Sequence, residues 1–297
     1  MKIRKLTAMY NALLMASSSL VLSACLLNDE IEDGPVTAVP QESVQIDGSL
    51  GAVPVVGATV SVTDANGATV ASTESDDQAN FSVTIPENAS YPLALVANGG
   101  TNMVTGNAPR FQYRATASSA LQNVVNLSPL TTLAVSTASC MGGGVSAANI
   151  ELATNIMAVE LAMGLDTVRH NIGGYTPINS NNIAPLMLSN NTLSETVRRA
   201  NAALAASASP TGADDILRQI GCDLSDGLLD GVGDGVDRRV ILSFIAASTG
   251  AMLDSMAHEP RTDGSAASGR MDQAITLVLR GLSNPPSVTS VAINSAF

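Results

Sequence analysis

Lysine is almost missing from this 297-residue chain, with Lys2 and Lys5 its only two, and tryptophan is missing altogether. Past residue 5, therefore, no lysine is available as a Schiff-base former, nucleophile or general base. Aromatic residues make up 3% of the chain. Surfaces that recognise sugars stack them on aromatic rings, so a polysaccharide is not an expected partner. Histidine is equally scarce, and His170 and His258 are the only ordinary neutral-pH bases. Cations are few as well: beyond residue 24, 26 acids face 11 arginines, a net charge of −15. A phosphate backbone is bound through clustered Lys and Arg, so nucleic acid is excluded as a partner. The same imbalance opposes lying flat on anionic lipid. What is plentiful is apolar: 45% of residues are hydrophobic and 13% charged, enough for sizeable cores in about two domains.

The N-terminus has a basic start at Lys2, Arg4 and Lys5, then an apolar stretch from Ala12 to Leu22 that closes on small residues. This layout belongs to a removable export signal and is too short for a spanning helix. Leu22-Ser23-Ala24-Cys25 resembles a bacterial lipobox. The resemblance implies cleavage before Cys25, diacylglycerol on its sulfur and an acylated (palmitate-type) new N-terminus. Several acyl chains on one residue anchor durably where one chain would not. Leu26, rather than Asp, follows the cysteine. In lipoproteins of Gram-negative cells that resembles the outer-membrane address; in a Gram-positive host the plasma membrane is expected instead. Residues 1–24 are thus read as the signal peptide. Residues 25–41, rich in Asp, Glu and Pro, read as an acidic flexible tether.

From residue 42 to 127 the apolar pattern has period two. Ala58, Val60 and Val62 alternate with Thr59, Ser61 and Thr63; Asn66-Gly67 then supplies two positive-φ positions for a tight hairpin. Phe81, Val83 and Ile85 form a further strand stopped by Pro86, and Tyr91–Ala97 another, closed by Asn98-Gly99-Gly100. Gln122–Leu127 reads as the last. Short strands at this spacing predict an antiparallel β-sandwich. Gly48, the run Val56-Gly57-Ala58-Thr59-Val60-Ser61-Val62, then Thr73, Phe81 and Tyr91 resemble the transthyretin-like, carboxypeptidase-regulatory-like sandwich. Its pattern is G-x-V-x-G-A-x-V, T-D-x-x-G-x-F, then a strand entered by Tyr. This chain departs from it at Ala79, where that family has Gly. The resemblance implies a non-catalytic spacer or binding platform.

After Leu127 the period becomes helical. Ser128 and Pro129 are the expected N-cap and first residue of one helix, and Ile150, Ala153, Met157 and Leu161 stripe a second over 147–165. Thr192-x-x-Glu195 and Thr211-x-x-Asp214 read as capping boxes that start two more. Ile241, Phe244, Ile245, Ser248 and Met252 mark a fifth, and Ile275, Val278, Leu279 and Leu282 a sixth. The expected fold class is α+β multidomain, with a transthyretin-like sandwich over 42–127 followed by an all-α bundle over 128–297. The S-P-L-T-T-L-A and D-L-S-D-G-L-L-D-G segments are similar to bacterial lipoproteins of this arrangement. That resemblance implies no mechanism.

With Cys25 lipidated, Cys140 and Cys222 remain, and an oxidising compartment permits them to pair. The alternative is two buried free thiols. No zinc-ligand spacing surrounds either cysteine. The densest carboxylate run is 223–237. Laid on an EF-hand loop, Asp226, Asp230, Gly231, Asp234 and Asp237 fall at positions 1, 5, 6, 9 and 12, with Leu228 where an acid belongs. Calcium is therefore the one candidate cofactor, and a plain interhelix loop with Asp237 capping the next helix is the alternative. No catalytic motif is found. Gly264–Gly269 lacks nucleophile-elbow spacing, His258-Glu259-Pro260 is not H-E-x-x-H, and Met141–Val145 lacks a phosphate loop's lysine. Asn179, Asn181, Asn182, Asn190 and Asn191 sit in a Pro-interrupted stretch, 176–191, read as an irregular loop suited to a polar ligand or to plain turns. The expected function is a lipid-anchored, non-catalytic binding or assembly module with an envelope protein as partner. One alternative is a calcium-dependent surface adhesin; another is a secreted hydrolase joining His170 or His258 to a distant Ser or Asp.

Overall fold

Alternating apolar residues become buried strands first. The computed structural model describes residues 43–258 apart from 52, 162–171, 173, 176 and 180. Signal, lipobox, Cys25, tether, His170, the 264–269 run and the 275–282 stripe lie outside the described residues, as do the Met252 and His258 side chains. The described residues form six strands: β1 (Val44–Ser49), β2 (Val55–Thr63), β3 (Thr69–Glu74), β4 (Asn80–Ile85), β5 (Leu93–Asn102) and β6 (Tyr113–Ala117). All named pairs are antiparallel, in a two-stranded sheet β1-β4 and a four-stranded sheet ordered β3-β2-β5-β6. In β2 and β4 the period-two pattern is realised directly, with Ala58, Val60, Val62, Phe81, Val83 and Ile85 all buried.

Local chemistry corrects the hairpin. Of Asn66 and Gly67 only Gly67 has positive φ, at 82°. Asp64 Oδ1 accepts hydrogen bonds from the backbone N–H of Asn66 and Ala68, both at 2.9 Å, and the β2–β3 register shifts at Val62/Thr63. The Asp64 carboxylate thus widens the two-residue turn into a five-residue loop with a bulge. β5 also does not stop at Asn98-Gly99-Gly100 but runs on to Asn102, opposite Val55. Gly100 makes this possible, because a Cβ there would lie 2.8 Å from both the Ala58 Cβ and the Val56 carbonyl oxygen. The 122–127 segment forms no strand of its own. It runs beside β1 through parallel bridges Asp47↔Val124 and Leu50↔Leu127, while β6, unread in the sequence, completes the larger sheet.

Among the described residues five helices follow: α1 (Pro129–Cys140), α2 (Ala147–Glu160), α3 (Ile183–Ala206), α4 (Ala213–Leu224) and α5 (Arg238–His258). The α1 start is as its sequence dictates, with Ser128 and Thr131 forming a reciprocal capping box and Pro129 in the first turn. The other two capping boxes are corrected. α3 begins nine residues before Thr192, which is buried mid-helix and donates its hydroxyl to the Leu188 carbonyl. Pro185 does not break this helix, because it lies in the first turn, where N–H groups have no intrahelical partner. Residues 183–191 are therefore helical rather than an irregular loop. α4 is capped at Gly212 with no side-chain bond, and Thr211 instead donates to the Ser209 carbonyl. Its acids, Asp214 and Asp215, favour the positive helix end.

Cys140, closing α1, is disulfide-bonded to Cys222 in α4. Next to it Gly221 sets the helix spacing: a Cβ there would lie 2.7 Å from the Ser136 Cβ. One hydrophobic core runs from the sheets (Ile46, Val60, Leu95, Tyr113) into the helices (Leu133, Phe244). Each fully buried Leu or Ile in it contributes about 2 kcal/mol. Among the described residues no helix is long and apolar enough to cross a membrane.

Candidate functional site

Two places on this fold concentrate chemistry. The first is a cleft of about 710 Å³ where the β1 end, the Asp76–Asn80 turn, residues 124–131, Ile172, Gly174, Pro177, Ile178 and the first turns of α3 meet. Its floor is apolar, formed by Leu50, Leu127, Leu130, Ile172 and Ile183, each no more than 2% exposed. Val53, Val104, Ile183 and Met187 form a small satellite core along one wall.

The floor also carries two buried amides, and both are committed to internal bonds. Asn126 Oδ1 accepts from the Ser49 backbone N–H at 3.0 Å and from its hydroxyl at 2.9 Å. Asn126 Nδ2 donates to the Gly174 carbonyl at 3.1 Å. Gly174 has φ 83°, and a Cβ there would sit 2.7 Å from the Thr131 Cγ2, so the chain is pressed against α1 at that point. Asn190, in α3, accepts at 2.9 Å from the Leu130 N–H, one of the α1 donors that lacks an intrahelical partner. Its Nδ2 donates to the Leu186 carbonyl at 2.9 Å. Polar groups are thus spent on holding the walls together.

At the solvent side the lining is acidic. Asp47, Glu74 and Asp76 are exposed and line the cleft, and none of its described lining residues is Lys, Arg or His. Asp76 Oδ1 accepts from the N–H of Gln78 at 2.9 Å and of Asn80 at 2.8 Å. Those bonds fold the turn that puts Ala79, 2% exposed, at φ 62°, a backbone conformation glycine adopts without cost. The Ala79 carbonyl in turn accepts from the Leu50 N–H, so the turn is locked onto the end of β1.

The second place is the acid-rich stretch 223–237, which runs from the last turn of α4 through the loop that leads to α5. Here the candidate ligands are spread rather than gathered. Asp226 Oδ1 accepts from the Leu228 N–H and Asp230 Oδ1 from the Val232 N–H, each forming a local turn. Asp234 is exposed. Asp237 pairs with Arg239, whose guanidinium and N–H hold its carboxyl below the usual range. Among the described residues no three His, Cys, Asp or Glu side chains are grouped so as to hold a metal.

Asp223 was not among the candidate ligands, yet it is the buried acid of this stretch, held in the last turn of α4 at 0% exposure. Its Oδ2 accepts from the Gly231 N–H at 3.1 Å, and its Oδ1 has no hydrogen-bond partner. Burial pushes its carboxyl up; the Gly231 bond opposes this, and the nearby charges of Asp230 and Asp226 add to it.

The asparagine-rich segment does line the cleft, but mainly through Ile178, Ile183, Leu186 and Met187. Asn179 and Asn182 are turn-formers: Asn182 Oδ1 accepts from the Asn179 N–H and Asn179 Oδ1 from the Asn181 N–H. No short motif marks the cleft, because its walls come from segments more than 100 residues apart. In comparisons with family models, curated proteins and solved structures, none matched this chain.

Proposed function

We propose that this chain is a lipid-anchored cell-envelope protein whose folded body is a non-catalytic binding module. Cys25 attaches it to the outer membrane. A transthyretin-like sandwich over 42–127 and a helical bundle over 128–297 together present the binding surface. The observation that carries this reading is the 710 Å³ cleft with its apolar floor. Its volume lies within the range of small-molecule sites.

The test is titration of the mature chain, residues 25–297, with the neutral apolar dye Nile red. One saturable site is expected, and Leu186→Trp, which fills the cleft, abolishes it; a wild-type chain without saturable binding discards the reading. Anchoring is checked separately by palmitate labelling in the host, which Cys25→Ser eliminates.

A second reading, a calcium-dependent adhesin acting through 223–237, is favoured by the bare, buried Asp223 Oδ1. Its measure is thermal unfolding in calcium against chelator. At a hundredfold excess over Kd a bound ion adds about 2.7 kcal/mol, several degrees in Tm, and Asp230→Ala removes the gain. Identical unfolding curves with and without calcium discard it.

A further inference from the structure

We propose that the cleft takes an amphipathic organic cation: a small ligand with an apolar body and a protonated amine at one end. This rests on the cleft being a binding site and names what fits it. An apolar body is required because the floor has little spare hydrogen-bonding capacity. Asn190 is spent on the Leu130 N–H and the Leu186 carbonyl, and Asn126 on Ser49 and Gly174. A polar group pushed onto that floor would lose its water without gaining partners, which is costly. Leu127, Leu130 and Ile183 offer contact to carbon instead.

The polar end of the ligand must then meet the solvent side. There Asp47, Glu74 and Asp76 provide three carboxylates, with no described cationic side chain in the lining to neutralise them. Each still has acceptor capacity, since a carboxylate has about four lone-pair sites and the Asp76 oxygen that folds its turn is one of two. An anionic ligand such as a fatty acid would be repelled at that rim, and a neutral one would leave the charge complementarity unused. A net charge of −15 beyond residue 24 draws cations to the protein as a whole. The local carboxylates decide whether that attraction becomes a site.

The experiment uses three probes of one chain length, decylammonium, decanol and decanoate, titrated into the mature chain by calorimetry at low salt. Each is repeated on Asp47→Asn/Glu74→Gln/Asp76→Asn and on Leu186→Trp. Asn at position 76 keeps the oxygen that folds the turn, and circular dichroism verifies the fold of both variants. Decylammonium is expected to bind about tenfold more tightly than decanol, a difference of about 1.4 kcal/mol, with decanoate weakest. In the triple variant the tenfold preference collapses, and in Leu186→Trp all binding falls together. Equal binding of amine and alcohol, or a preference that survives the triple variant, overturns the cation assignment while leaving the cleft a binding site. No saturable binding of any probe overturns both.

Discussion

Two buried polar spots, one in the floor of the cleft and one at the end of α4, are resolved in opposite ways. In the cleft floor Asn126 and Asn190 are neutral, and their oxygens and amide nitrogens are all engaged. At the start of the 223–237 stretch Asp223 bears an ionisable carboxyl, is more deeply buried than either amide, and keeps one oxygen without a hydrogen-bond partner. A satisfied amide fixes walls and leaves a cavity whose remaining surface is apolar. A half-satisfied carboxylate retains an unmet demand that a proton or a cation can fill. The cleft is therefore suited to shape and rim charge, whereas the loop is suited to respond to pH or ions.

The disulfide that ties the loop side to α1 separates the two spots most forcefully. Replacing Cys140 and Cys222 with Ala frees an 82-residue loop and is expected to cost about 4–5 kcal/mol in chain entropy. Guanidinium unfolding of oxidised wild type and double variant checks it. Asn190→Ala attacks the cleft side instead. It strands the Leu130 N–H and opens space in the wall, an expected loss of about 2 kcal/mol by the same measurement. Nile red affinity falls with it if the wall is what shapes the site.

Asp223→Asn sharpens the contrast by giving the loop the kind of amide the cleft uses. The Asp223 pKa is raised in the fold above the ordinary 3.8, chiefly by burial. The folded chain therefore holds this proton more tightly than the unfolded chain. Its destabilisation is fully present above the folded pKa and disappears as pH falls toward the unfolded value. Wild-type stability is thus expected to gain from this residue on acidification from neutral pH, and Asp223→Asn to lack that gain. At neutral pH the variant is expected to be about 1 kcal/mol more stable, by Tm across a pH series. A destabilised variant at neutral pH would show that the charge is compensated. The smallest effect is at Ala79→Gly, where relief of the positive φ slightly exceeds the added backbone entropy. About 0.5 kcal/mol of stabilisation is expected, read as a small rise in Tm.

Local signals were legible where local physics decides. Ser128 and Pro129 start α1 because a cap and a first-turn proline need only their own neighbours. The strand faces of β2 and β4 follow from alternation alone. Signals failed where a distant partner outweighs a local preference. Thr192 and Glu195 have capping-box spacing, yet they lie inside α3. There Thr192 is buried, and Glu195 reaches forward to Arg198 and Arg199. Burial pushes the Glu195 carboxyl up, but those two guanidiniums outweigh it and hold it below its usual range. Asn66-Gly67 was modified by a single neighbour, Asp64, whose carboxylate claims the turn's N–H groups.

The sequence by itself determined the antiparallel strands, the helices that follow them and the residues able to crosslink. All of these depend on composition or on neighbours within a turn or a strand. Only the tertiary structure decided that Asn190 would satisfy α1 rather than a ligand, that Gly174 would press against Thr131, and that Asp223 would be buried at the end of α4 while the other acids of the stretch spread out. Each of these depends on which buried donors and acceptors meet across 8 to 60 residues, and packing sets that pairing.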